Sequence, residues 1–306
     1  MERITNGAIL PERFRGGIAA LGNFDGFHAG HQAVVGEALA LAQARGVPAL
    51  VASFSPHPAR LFQPDLPPFA LTAVTQRMDL LAAFGIDATV MIPFTRELAA
   101  LPADTFVEQW LVRRLGVTGV VTGSDFTFGQ GRSGDVAQLA TLGDRLGFTA
   151  SVVSPVTDAG GVISSTRIRA ALRAADPAGA AALLTRPYTL RGTVEHGAKL
   201  GRTLGFPTAN QRLGDYQRPA YGVYAVMVRL PGGQRVKGVA NLGIRPMIDP
   251  PEELLETWLM DWSGDLYGKV IEVELVAYLR PEMKLDGLDA LKAQIAADAE
   301  AARALL

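Results

Sequence analysis

The stretch GIAALGNFDGFHAGHQAVVGEALALAQA, residues 17–44, opens on a short apolar run, passes through a glycine-rich segment and continues with helical spacing. A five-residue apolar run bounded by glycine reads as a buried strand, and the pattern after it reads as a helix packed on that strand. The alternation recurs downstream. ALVASF (49–54), ATVMI (88–92), TGVVTG (118–123) and TASVVS (149–154) are candidate strands, separated by the helix-like segments TQRMDLLAAFG, ADTFVEQWLVRRLG and DVAQLATLGDRLG. Strand–helix repetition with right-handed crossovers predicts a mainly parallel, doubly wound α/β sheet. Ligands on such sheets bind beyond the carboxyl ends of the strands, so the residues after each strand are the first candidates for chemistry.

Beyond STRIRAALRAADPAGAAALL (165–184) the pattern changes. From Tyr188 the chain reads as strands and turns: YTLRGTVEHG, YGVYAVMVRL, a PGGQ turn, RVKGVANLG, LLETWLMDW and KVIEVELVAYL. Alternation over Val223–Val228 and Val270–Leu275 predicts an antiparallel β-barrel. The last segment, GLDALKAQIAADAEAARALL, is a closing helix with Leu288, Leu291 and Ile295 on one face. The boundary is expected near Leu184–Pro187, giving domains over 1–184 and 185–306.

The 306 residues suit about two domains. Hydrophobic residues at 48% and charged residues at 19% are enough to fill ordinary cores. Lys+Arg 29 against Asp+Glu 30 gives a net charge of −1, which argues against a broad nucleic-acid surface but leaves room for local anion sites. The absence of cysteine excludes disulfides, thiol nucleophiles and cysteine-ligated zinc or iron–sulfur, and fits a reducing compartment. MERITNGAIL lacks the apolar run of a signal peptide, and no stretch approaches the ~18 apolar residues of a membrane span. A soluble, cytoplasmic protein with no membrane or nucleic-acid partner is expected, and no obligate protein partner is evident.

Five segments carry candidate chemistry. In GNFDGFHAGHQ (22–32), His28 and His31 are three apart, so one helical turn puts both imidazoles on one side. They fall at a helix N-terminus, whose N–H groups and dipole favour phosphate, and two donors there would stabilise charge on a phosphorus under attack. Surface histidines, or a metal site with His57 of SFSPHPAR, are the competing readings; no acidic cluster accompanies them. In GSDFTFGQGRSGD (123–135), Gly129, Gly131 and Gly134 match G-x-G-x-x-G, but the polar-aromatic segment SDFTF separates them from the strand end. That loop would present Asp125, Phe126, Phe128 and Arg132 toward an aromatic or anionic ligand. ISSTRIRAAL (163–172) offers Ser164, Ser165 and Thr166 as cap and anion donors, with Arg167 and Arg169 as forked donors for phosphate. HGAKLGRTLGFPTAN (196–210) lets the backbone approach a ligand at Gly197, Gly201 and Gly205, adds charge at Lys199 and Arg202, and offers hard oxygen ligands at Thr208 and Asn210. No G-K-[ST] occurs in it. In LLETWLMDW (254–262), Glu256 sits in an apolar run and is either a general base or a glutamate on the wet face of a strand.

Together these segments resemble the bacterial bifunctional riboflavin kinase/FAD synthetase family, nearly end to end. GNFDGFHAGHQ, FSPHPAR, GSDFTFGQGRSGD and ISSTRIR are similar to its adenylyltransferase module. RPYTLRGTVEHG, GRTLGFPTAN, GVYAV, GVANLGIRP, DLYG and YLRPEMK are similar to its kinase module. The resemblance implies ATP-dependent phosphorylation of riboflavin to FMN and adenylylation of FMN to FAD, with Mg2+ accompanying ATP and FMN and FAD as products or substrates. His28 and His31 would contact the ATP phosphates, and Ser164, Ser165, Thr166 and Arg169 would hold the departing pyrophosphate. Gly22, Asn23, Phe24, Asp25, His57, Asp125, Phe128 and Arg132 fall in its nucleotide and flavin segments, as do Gly197, Lys199, Gly201, Arg202, Gly205, Pro207 and Arg245 in the second module. Thr208 and Asn210 match the magnesium and ATP positions, and Glu256 the catalytic base. The chain departs from the usual pattern at Thr185, Met247, Ile248, Trp258 and Leu285. Rival expectations are an adenylyltransferase whose second module only binds flavin, and a non-catalytic flavin sensor or carrier.

Overall fold

The computed structural model describes residues 1–5, 9–197, 205–245 and 252–306. Six strands, β1 (Glu2–Ile4), β2 (Ile18–Leu21), β3 (Ala49–Ser55), β4 (Ala88–Pro93), β5 (Gly119–Gly123) and β6 (Thr149–Val153), pair in parallel in the order β1-β4-β3-β2-β5-β6. Between them run α1 (Ala29–Arg45), α2 (Pro58–Phe62), α3 (Val74–Ala83), α4 (Arg96–Ala99), α5 (Ala103–Phe106), continuing as a π-helix over Val107–Leu115, and α6 (Val136–Leu146). This is the expected doubly wound sheet. The three residues of β1 are too few for a periodic signal, and they add an edge strand beside β4.

Successive strand side chains point to opposite faces, and each face of β2 feeds a different core. Ala19 and Leu21 join Leu50, Trp110 and Leu111 on one side, while Ile18 and Ala20 join Val35, Ala38, Val51 and Val121 on the other. Burial on both faces explains why the strands read as unbroken apolar runs rather than as alternation. From β2 the chain winds outward to β3 and β4, then returns to place β5 on the other side of β2. The order therefore reverses between β2 and β5, the switch point beyond whose carboxyl ends such sheets bind their ligands.

A short hairpin of β7 (Thr157–Asp158) and β8 (Gly161–Val162) follows, then α7 (Ser165–Arg173) and α8 (Pro177–Leu184). Six further strands, β9 (Tyr188–Thr193), β10 (Thr208–Gln211), β11 (Gly222–Arg229), β12 (Arg235–Arg245), β13 (Glu252–Leu259) and β14 (Val270–Arg280), form an antiparallel sheet ordered β10-β13-β12-β11-β14-β9. Just past β9, Glu195 bridges to Asn210, its N–H donating to the Asn210 carbonyl at 2.8 Å. That bridge links the two end strands and curls the sheet on itself, as the barrel expectation requires.

The closing helix spans Gly287–Leu305, and the face carrying Leu288, Leu291 and Ile295 is continued by Asp298, Ala299 and Ala302, packing along its later turns. Leu288 in the first turn is 57% exposed and Leu291 and Ile295 are half-buried, whereas Asp298, Ala299 and Ala302 are buried, the two alanines against Val223, Ala225 and Val239. A fork of hydrogen bonds favours the later turns. Arg280 at the end of β14 donates from Nε and Nη2 to the two Asp298 oxygens at 2.8 and 2.7 Å, which docks the later turns on the sheet.

The chain divides into two compact units, 1–67 with 74–164, and 68–73 with 165–306. Within the second unit, the Ala70 N–H donates to the Asp215 carbonyl at 2.9 Å and the Gln217 N–H to the Ala70 carbonyl at 2.7 Å. Among the described residues, no helix is long and apolar enough to cross a membrane.

Candidate functional site

Because β2, β3 and β5 run in one direction, the residues that follow them leave from the same edge of the first sheet. After β2 the backbone makes a tight loop in which Phe24, Gly26 and Phe27 have φ of 52°, 83° and 43°. Bulky residues seldom adopt such angles, so neighbours must hold them there. Ser53 Oγ donates to the Asn23 carbonyl at 3.0 Å, the Phe27 N–H to the Phe24 carbonyl at 3.1 Å, and Gln32 Nε2 to the Phe27 carbonyl at 3.0 Å.

The loop ends at His28, which caps α1 by accepting the His31 N–H on its Nδ1 at 3.4 Å. A neutral imidazole whose Nδ1 accepts carries its proton on Nε2, so that nitrogen is a donor. The His31 ring stacks on His28 with centroids 3.6 Å apart and 21° between planes, and Phe24 meets His31 edge-on at 5.4 Å. The three-residue spacing thus brings the pair together as the sequence implies. An ideal Cβ on Gly30 would stand 3.1 Å from His28 Cε1 and 3.4 Å from the Ile163 carbonyl. The segment leading to Ser164 therefore lies against the start of α1, and only a residue without a side chain fits this crossing easily.

His57 caps α2 in the same manner, its Nδ1 accepting the Ala59 N–H at 3.2 Å, so its neutral ring also offers Nε2–H. Asp125 is exposed just beyond β5. Phe128 is buried in the core, stacked with Phe126 at 5.8 Å and packed near Phe106, and it holds the loop from inside; Arg132 is exposed. Ser164 closes the first unit, while Ser165, Thr166 and Arg169 belong to the second. There, Arg169 Nε donates to the Phe69 carbonyl at 2.7 Å. Among the described residues, no group of three or more His, Cys, Asp or Glu could hold a metal ion.

Sequence reasoning passed over Arg77. It lies on α3, is 5% exposed, and its Nη1 donates to the same Asn23 carbonyl that Ser53 engages. Burial pulls its guanidinium below the ordinary value, and the Asp25 carboxylate, also buried, opposes that pull. The signal that could have found it is its position four residues before Leu81, on the stripe that α3 buries.

In the second unit, a cavity of about 290 Å³ is lined by Gly197, Pro207, Thr208, Asn210, Trp262 and Tyr267, among others. Thr208 and Asn210 lie two apart on β10 and so share one face of the sheet. Across the pairing with β13, Asn210 stands opposite Glu256 and Thr208 opposite Trp258. Glu256 is half-buried and is flanked on its other side by Asn241 of β12. Asn210 is 4% exposed, and its Oδ1 is buried with no hydrogen-bond partner among the described residues. An ideal Cβ on Gly197 would meet Asn210 Nδ2 at 2.5 Å, so a side chain there would have to displace the Asn210 amide. Trp258 packs edge-on against Phe206 at 5.0 Å. Gly205 is exposed with φ +88°, and Arg245 ends β12. Lys199, Gly201, Arg202, Met247 and Ile248 lie outside the described residues.

Two family models match the chain: FAD synthetase over residues 10–167 and riboflavin kinase over residues 184–306. The bifunctional riboflavin kinase/FMN adenylyltransferase of Escherichia coli strain K12 is 41% identical over 288 residues, covering 94% of this chain and 92% of that protein. The protein of the same name from Bacillus subtilis strain 168 is 35% identical over 300 residues, covering 96% and 94%. A crystal structure named for a macrolide-efflux protein from Streptococcus pneumoniae superposes with a TM-score of 0.88 at 30% identity, over 99% of both chains.

Proposed function

The chain belongs to the bifunctional riboflavin kinase/FMN adenylyltransferase family, and we propose how its residues divide the two reactions. It phosphorylates riboflavin to FMN and adenylylates FMN to FAD, using ATP in each step. A single-activity enzyme and a passive flavin carrier are both disfavoured by matches to two catalytic families. We assign adenylyl transfer to residues 1–184 and kinase chemistry to 185–306, a division supported by where the two family matches end and begin.

In the kinase site, the Glu256 carboxylate takes the proton of the terminal ribityl hydroxyl as that oxygen attacks the γ-phosphorus of ATP. The new O–P bond forms, the β,γ-bridging bond breaks, and ADP leaves. Thr208 and Asn210 would hold a magnesium ion arriving on ATP. The fit rests on the buried Oδ1 of Asn210, an acceptor still lacking a partner among the described residues, beside a threonine hydroxyl that is also a hard oxygen ligand. Such an ion would neutralise charge on the phosphate oxygens. In the adenylyl-transfer reaction, a phosphate oxygen of FMN attacks the α-phosphorus of ATP, forming the new O–P bond as the α,β-bridging bond breaks and pyrophosphate leaves. That nucleophile is already anionic, so positioning and charge neutralisation suffice. The Nε2–H of His28, with His31 stacked on it, would supply the donors, and Ser164, Ser165, Thr166 and Arg169 would receive the pyrophosphate. Riboflavin, FMN and ATP are then the partners required. A cytoplasmic setting suits these substrates and a chain without cysteine.

The observation that carries the kinase assignment is the register that sets Glu256 opposite Asn210 beside a cavity lined by Thr208. Asn210→Ala and Thr208→Ala, assayed with product separation across a magnesium titration, are expected to weaken FMN formation and raise its magnesium requirement. FAD formation from supplied FMN should be unaffected. Unchanged kinase activity in both variants would remove the assignment.

A further inference from the structure

We propose that Arg77 is a positioning residue of the adenylyl-transfer site, holding the Asn23–Asp25 turn in the conformation that aims His28 at the nucleotide phosphates. The inference rests on the reading of His28 and His31 given above.

A buried cation is costly unless it is paired, and Arg77 finds its compensation outside its own helix, in the Asn23 carbonyl and the Asp25 carboxylate. A leucine or methionine would fill the same space without that desolvation. What the arginine adds is a hold on a turn that resists its own geometry: Phe24 and Phe27 sit at φ of 52° and 43°. The Asn23 carbonyl is gripped from two elements, by Ser53 at 3.0 Å from β3 and by Arg77 from α3. The chain then runs through Gly26 and Phe27 directly into His28, whose Nδ1 caps α1. Any relaxation of the turn is therefore passed to the imidazole.

The cluster is also incompletely satisfied. Arg77 Nε and Asn23 Oδ1 are buried with no hydrogen-bond partner among the described residues. An ion pair selected only for stability would be expected to close those bonds, whereas a support held to the geometry of a reactive loop need not.

The test replaces Arg77 with Met and with Gln, which remove the charge, and with Lys, which keeps a charge and a donor. Each full-length variant is assayed for FMN-to-FAD turnover and for riboflavin phosphorylation, with thermal unfolding followed alongside. The neutral variants are expected to lose about tenfold or more in kcat for FAD formation, with KM for ATP changed by less than about threefold. Lys should restore kcat to within about threefold of the parent, and FMN formation should stay at the parent level. Folded neutral variants with parental kcat would overturn the proposal. So would Met and Lys variants impaired equally in step with their stability, which is the behaviour of a structural ion pair. Should neither neutral variant fold, Ser53→Ala removes the other donor on the same carbonyl; parental kcat in that folded protein would overturn the proposal. His28→Ala with His31→Ala serves as the control. If that pair leaves FAD formation intact, the underlying site reading fails, and it does so independently of Arg77.

Discussion

Asn210 and Glu256 face one another across β10 and β13, their side chains on the same side of the sheet. One is a buried amide whose Oδ1 has no hydrogen-bond partner among the described residues; the other is a half-buried carboxylate. In the roles proposed above, the oxygen ligand for a phosphate-bound cation and the proton acceptor would be held one strand apart.

If Glu256 is the base, Glu256→Gln keeps the shape and hydrogen bonding but cannot take a proton at neutral pH. FMN formation should fall by roughly 10²- to 10⁴-fold, with binding of ATP and riboflavin little changed. FAD formation from supplied FMN should continue. Parental phosphorylation in this variant, with chemistry rate-limiting, would exclude the role. Trp258, opposite Thr208 and two residues from Glu256 on the same strand, makes the measurement specific to this chain.

Replacing His28 and His31 with alanine removes the Nε2 donor and its stacked neighbour. FAD formation should slow by on the order of 10²-fold or more while FMN formation persists. Loss of both activities together would indicate a shared site or a folding defect.

A fragment of residues 186–306 is expected to phosphorylate riboflavin alone. It should be less stable than a fragment of residues 165–306, because α8 buries Ala180, Leu183 and Leu184 within the second unit. Each such leucine is worth about 2–3 kcal/mol of burial. Chemical unfolding of the two fragments measures the difference, and equal midpoints would contradict it.

All six tyrosines of the chain lie at or after Tyr188, so tyrosinate absorbance reports the second unit alone. Burial, helped by a 2.7 Å hydrogen bond to Glu253 and its charge, pushes Tyr221 up to about 12 from the ordinary 10.0. Burial also raises Tyr216, Tyr224 and Tyr278. The folded state thus keeps these phenols protonated after the unfolded chain has released them. Their contribution to stability is complete below pH 10 and is lost as pH rises through the folded values. An alkaline titration should show delayed tyrosinate formation coinciding with unfolding of the antiparallel sheet. Ionisation centred at 10 with the sheet intact would refute this.

Much of the molecule was legible before any coordinate. The strand–helix alternation, the change to two-residue periodicity after Tyr188 and the His28–His31 spacing all express backbone hydrogen bonding over a few residues, and each reappears in the fold. The closing helix and the face it packs are both written in its spacing, since Leu291, Ile295, Asp298 and Ala302 share one stripe. Which turns of that stripe dock is decided by the Arg280–Asp298 fork, which leaves Leu288 in the first turn exposed.

Local pattern cannot say which distant groups will meet, because that depends on register and on what each buried group must find as a partner. Residues 17–44 alone were enough to announce a buried strand, a glycine-rich loop and a helix. Only packing could bring Arg77 to the Asn23 carbonyl 54 residues away, set Glu256 across from Asn210, or attach Pro68–Ala73 to the second unit. A period is a property of neighbours in the chain, written in the residues themselves. A buried charge or an orphaned carbonyl acquires its meaning only once water has been excluded around it.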